Sequence, residues 1–174
     1  RRKNFGRDKW RDNPEANKLM KYLLEISPRT KSMMIGTATP VQLDPIEAWD
    51  LLNILSQGNN IVFGDSWSKW RKAHESLPIV LGEKELSTPF ETVAWEWMRN
   101  PFPPQNEERA FDIVRRSLRL KPSDNVVAFE ILDKMKRPDI DLLKRESRTY
   151  GKNHNPFIRH IVRRTRDYLE NTID

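Results

Sequence analysis

Cysteine is absent from the 174 residues, which excludes disulfide staples and thiolate metal sites. Histidine is nearly so: His74, His154 and His160 are scattered without the short spacing of a ligand cluster, so no metal site is expected. No apolar run reaches the roughly 18 residues of a membrane span. The basic N-terminal stretch lacks the apolar core and cleavage site of a secretory leader. The expected setting is therefore soluble and cytoplasmic, with no membrane partner. The six glycines form no G-x-x-x-x-G-K-[ST] phosphate loop. No internal repeat or low-complexity tract is found.

What is present suffices for a packed core, since a chain of this length with ample Leu, Ile, Val, Phe and Trp can bury enough apolar surface to fold. The net charge of +6 is unevenly spread. Arg1 to Arg11 hold six basic residues against Asp8 alone, 6 − 1 = +5. Arg137 to Arg166 hold nine Lys or Arg against Asp139, Asp141 and Glu146. Such patches suit an anionic partner, nucleic acid first, or else form an ordinary solvated helical surface.

Helix signals dominate. Asn13, Pro14 and Glu15 read as a helix start, followed by Ala16, Leu19, Met20, Leu23, Leu24 and Ile26 at helical spacing, with an end before Pro28. Asp44, Pro45 and Glu47 form a capping box ahead of Ile46, Trp49, Leu52 and Leu55. The stretch from Leu86 to Arg148 reads as wholly helical. Within it Asn106 is expected to cap a helix with Ala110, Phe111, Val114 and Leu118 inward and Arg115, Arg116 and Arg119 elsewhere, and Ser123 to open another with Val126, Val127, Ile131 and Met135. Asn155 and Pro156 start a last helix, with Phe157, Ile158, Ile161, Val162 and Leu169 inward against Arg159, Arg163 and Arg166 outward. Trp49, Trp67, Trp70, Trp95 and Trp97 lie on helical stripes and are read as core or inter-helix contacts rather than stacking platforms. The exception to helix is Ser32 to Gly36, "SMMIG", a short apolar run of the kind that forms a strand buried on both faces of a parallel sheet.

The stretch Pro28 to Leu55 joins that strand to Thr37, Ala38, Thr39 and Pro40 and then to the capped helix. It resembles motif III of helicase superfamily two in its Swi/Snf-type branch, with Thr37, Ala38, Thr39, Pro40, Gln42, Glu47, Trp49, Leu51 and Leu52 taking the places of the motif. Hydroxyls at the carboxyl end of a parallel strand sit where α/β sheets bind ligands. In that family the turn couples the state of ATP to the nucleic-acid path and performs no chemistry itself. Two flanking stretches agree: Arg1, Arg2, Lys3 and Asn4 resemble the continuation just past the Mg²⁺-binding DEAH box, and Arg163, Arg164, Thr165 and Arg166 resemble the arginine-rich segment near the end of the first lobe.

The resemblance implies a mainly α chain with one or a few short strands, a partial RecA-like α/β lobe carrying a helical insertion. Residues 1–85 would be the rest of lobe one with motif III, 86–150 the helical insertion and 151–174 the closing helix. It implies no ATP or Mg²⁺ site in this chain, with both bound by the parent protein. The implied partners are nucleic acid, DNA before RNA, and a second motor lobe of the same polypeptide. Arg159, Arg163, Arg164 and Arg166 are the candidate nucleic-acid contacts. The alternative is a stand-alone basic helical module that binds nucleic acid or protein.

Overall fold

The computed structural model describes residues 16–37, 44–86 and 93–162. The chain is mainly helical, and no sheet forms among the described residues. Helix α1, Lys18–Ile26, is capped by Asn17, whose side chain accepts from the Met20 N–H at 2.8 Å. The Asn13–Pro14 start signal lies outside the described residues. Pro28 sits in a short 3₁₀ turn, Ser27–Arg29, that ends α1 where the missing N–H forbids continuation.

The expected strand at Ser32–Gly36 is extended but belongs to no ladder among the described residues. A strand exists only through neighbouring backbones, and here the segment meets side chains instead. Met33 and Ile35 turn toward a small cluster with Met20, Leu23, Leu24 and Ile54, while Met34 is 96% exposed. The period of two thus holds, half-buried where burial on both faces was expected.

Helix α2, Ile46–Leu55, starts close to the expected place, but Pro45 stands at the cap rather than the first helical position; Asp44 Oδ1 accepts from the Ile46 N–H at 3.1 Å. It is apolar nearly all round because it serves two cores. Ala48, Trp49 and Leu52 face the main core and Ile54 the small one. Ser27 Oγ donates to the Ile54 carbonyl at 2.6 Å, tying α1 to α2.

Helices α3 (Ala73–Val80), α4 (Trp95–Met98), α5 (Arg109–Ser117), α6 (Arg137–Asn153) and α7 (Pro156–His160) surround the main core. In α5 the predicted stripe is right for Ala110, Phe111 and Val114, but the cap is Glu108. Asn106 instead takes a left-handed conformation and its N–H donates to Asp112 Oδ1 at 3.0 Å. Arg115 does not point away. It is buried, and its guanidinium donates to the carbonyls of Pro103 (2.8 Å), Lys121 (2.6 Å) and Asp124 (2.8 Å). That staple explains why no helix opens at Ser123. The Lys121 and Asp124 carbonyls are taken, and the backbone beyond pairs outward, Phe102 N–H to Asn125 O at 2.8 Å and Val127 N–H to Arg99 O at 3.0 Å. Only a 3₁₀ turn, Phe129–Lys134, follows.

Trp49, Trp70, Trp95 and Trp97 are buried as read, and a relay of side-chain donors links Trp49, Trp70 and Trp97 to Tyr150. Trp49 Nε1 donates to the Trp70 carbonyl and Trp70 Nε1 to the Trp97 carbonyl, each at 3.0 Å, and the Tyr150 hydroxyl donates to the same Trp97 oxygen at 3.1 Å. Trp95 Nε1 donates to Phe129 O at 3.0 Å. Around the relay the rings pack edge to face, Trp70 on Trp97 at 4.7 Å and Phe111 on Tyr150 at 6.2 Å. Burial pushes the Tyr150 hydroxyl up to about 12, so it remains a donor. Trp67 departs from the reading and is 82% exposed.

Two glycines at nearly the same positive φ separate backbone strain from crowding. A Cβ on Gly64 (φ +77) would stand 2.0 Å from Asn100 Oδ1, whereas on Gly82 (φ +75) it would meet nothing within 4 Å. Asn100 is buried and accepts from the Asp65 N–H at 2.9 Å, and its own carbonyl accepts from Ser68 Oγ at 2.7 Å. Gly82→Ala is expected to cost about 1.5 kcal/mol, the left-handed penalty alone. Gly64→Ala should cost about 3 kcal/mol, because buried hydrogen bonds are lost as well. Urea unfolding of the two variants measures the gap, and equal losses would contradict the Asn100 contact.

Candidate functional site

Of the motif III residues, Thr37 is described, exposed at the end of the extended segment. Ala38, Thr39, Pro40 and Gln42 lie outside the described residues, as do Arg163, Arg164 and Arg166. Geometry around the turn comes from its two flanks. Before it, Ser32–Gly36 rests on α1 and α2 through Met33 and Ile35. After it come Asp44 just ahead of α2, Glu47 in its first turn and Asp50 in its second, all buried and each with an interaction partner. Carboxylates at this end of a helix meet the positive pole of its dipole.

A groove of about 700 Å³ runs beside the extended segment, with Met34, Ile35, Gly58 and Val62 among its lining. Its floor depends on Gly58, whose φ is +73 and where a Cβ would lie 2.9 Å from the Cα of Pro28. The corner behind it is held by Arg71. One guanidinium donates to the carbonyls of Ser56 (3.1 Å), Asn59 (2.9 Å), Gly64 (2.8 Å) and Asp65 (2.8 Å). The planar five-donor fork suits this binding of converging carbonyls, which a lysine could not reproduce.

The second constellation lies on α7 and was not foreseen. Asn155 caps that helix as predicted, accepting from the Phe157 and Ile158 N–H groups at 2.9 and 3.2 Å. The facing is different from the expected one. Ile158 and Val162 are exposed, whereas the Arg159 side chain is only 9% exposed. The helix has five residues, so packing of Phe157 against Phe63 sets its rotation rather than a long apolar stripe. Arg159 Nη1 lies 3.8 Å from Glu107, whose other oxygen is 2.8 Å from His154 Nδ1. Arg159 therefore faces an internal carboxylate, not an outer surface. The signal that could have found this pair is Glu107 two residues before a helix start, in a chain where His154 and Arg159 follow the long α6.

His160, next along, has its basicity lowered by burial and then by the neighbouring Arg159 charge. Among the described residues no group of acidic and histidine side chains is arranged to hold a metal ion. No helix there is long and apolar enough to cross a membrane.

A histidine that is harder to protonate when folded contributes stability above its unfolded pKa of about 6.5 and loses it as pH falls through the folded value. Unfolding free energy is thus expected to drop as pH falls below about 6.5, and His160→Gln should flatten that part of the profile. A profile unchanged by the substitution would remove His160 from the account.

No family model, curated protein or solved structure matches the chain.

Proposed function

We infer that this chain is the C-terminal part of the first RecA-like lobe of a Swi/Snf-type, ATP-dependent nucleic-acid translocase, supplying the motif III coupling element and not the ATP site. The observation that supports this most is the segment before the turn. Ser32–Gly36 is extended and apolar, covered by helices through Met33 and Ile35 and bare at Met34. One face covered by helices and no ladder partner at either edge among the described residues are what a strand has when a helical layer is in place and neighbouring strands come from elsewhere in the lobe. It leads into Thr37–Pro40, and the capped helix α2 follows.

In such a motor the phosphoryl transfer to water needs a phosphate-loop lysine, Mg²⁺ on acidic residues and an arginine from the second lobe. Thr37 and Thr39 would sense that site, and Arg163, Arg164 and Arg166 would serve the DNA path in the cytoplasm. A second reading, a stand-alone basic helical module for nucleic acid or protein, is favoured by one observation: the core from Ile46 to Phe157 closes without any sheet among the described residues.

The isolated chain is expected to show no Mg²⁺-dependent ATPase activity, since no phosphate loop occurs in it. In the full-length motor, Thr37→Ala with Thr39→Ala should reduce translocation per ATP by about tenfold, roughly 1.4 kcal/mol of lost coupling, with hydrolysis retained. Unchanged translocation per ATP would favour the module.

A further inference from the structure

The pocket between the loop preceding α5 and the end of α7 contains donors that the protein itself does not use. It has a volume of about 570 Å³, with Phe102 and Ile158 as apolar walls and Glu107, His154, Arg159 and His160 as the polar side. Arg159 contributes the main imbalance. Its side chain is nine-tenths buried, its one ion pair is the 3.8 Å approach of Nη1 to Glu107, and Nε and Nη2 are buried without a hydrogen bond. His160 Nε2 is buried and unbonded as well. Glu107 is already engaged at the shorter distance of 2.8 Å by His154.

The unbonded edge of the guanidinium is the chemically informative part. Nε and Nη2 form the parallel donor pair that matches two oxygens of a phosphate or carboxylate. Glu107 approaches the other edge, so a second anion can be accepted without displacing it. Each buried donor left unmade costs about 1–3 kcal/mol; an oxyanion recovers that cost for the two guanidinium donors, and its charge favours the protonated form of His160 in which Nε2 becomes a third donor. A phosphate group has oxygens for the fork and one more for His160, whereas a carboxylate has two in all.

We propose that this pocket is a phosphate site, with Arg159 as the bidentate fork and His160 as a second donor, taking the phosphate of a nucleotide or of a nucleic-acid backbone. The site stands on these side chains and does not rest on the motor reading. Its neighbours Gln105, Asn106, Asn125 and Asn153 offer hydrogen bonds at the rim without adding charge.

The test is a titration of the 174-residue chain with inorganic phosphate against chloride at equal ionic strength, read at the backbone amide resonances of Phe157 to Ile161. A saturable shift with phosphate alone is expected, weakened about tenfold in His160→Gln and lost in Arg159→Gln. If Arg159→Gln does not fold, the wild-type shift and the His160 variant still decide. Adenosine monophosphate and a short single-stranded oligonucleotide then compete against phosphate. Displacement by the monophosphate alone assigns a nucleotide, and displacement by the oligonucleotide assigns a backbone phosphate. The proposal falls if phosphate and chloride act alike, or if His160→Gln binds phosphate as tightly as the wild type.

Discussion

The Trp70 indole N–H donates to the carbonyl oxygen of Trp97, and that same oxygen receives the hydroxyl of Tyr150. One backbone acceptor thereby joins the corner after α2, the short helix α4 and the long helix α6. Trp49 extends the chain by donating to the Trp70 carbonyl, so four segments far apart in sequence are registered to one another. A buried indole or phenol without a partner costs free energy, and water cannot supply one here. The aromatic core is therefore held in register by Trp49, Trp70, Trp95 and Tyr150, whose polar atoms each reach a carbonyl, while the Trp97 indole N–H is buried without a partner. Everything that positions α7 and the Glu107 pocket rests on this arrangement, through Phe63 against Phe157 and Phe111 against His154.

Two arginines extend the same logic to the periphery. Arg71 and Arg115 are charged groups bound to backbone carbonyls rather than to carboxylates, each closing a loop that has no regular structure. Burial lowers the basicity of both, yet the convergent carbonyl dipoles replace the lost hydration. Arg159 is the contrasting case. Its side chain is nine-tenths buried, but two of its donors have no carbonyl, and that difference is what the proposed phosphate site rests on.

Much of the helical frame was legible in residue patterns. The Asp44 cap, the Ala110, Phe111 and Val114 stripe, the Asn155–Pro156 start and the burial of Trp49, Trp70, Trp95 and Trp97 all follow from spacing and capping chemistry. The misreadings share a cause. Arg115 and Arg159 were placed outward because charge normally seeks water, a rule that yields when unpaired carbonyls or a buried carboxylate are close in space. Spacing cannot show those neighbours, which come from Pro103, Lys121 and Asp124 in one case and Glu107 in the other. Val126 and Val127 have helical spacing, but the staple on Lys121 and Asp124 and the pairing with Arg99 and Phe102 take the backbone first. Trp67 has the same local pattern as Trp70 and differs only in which side of a single turn the core lies.

The extended segment Ser32–Gly36 separates the two readings of the chain, since the proposed motor would give it strand neighbours that are not found among the described residues. Amide hydrogen exchange at Met33 to Gly36 is the most direct measurement, made on the isolated chain and again on the longer two-lobe motor that the proposed function assigns it to. The account predicts fast exchange in the isolated chain, while helices α2 and α6 exchange only through global unfolding, and strong protection of the same amides in the motor. Fast exchange at Met33 to Gly36 in both would contradict it.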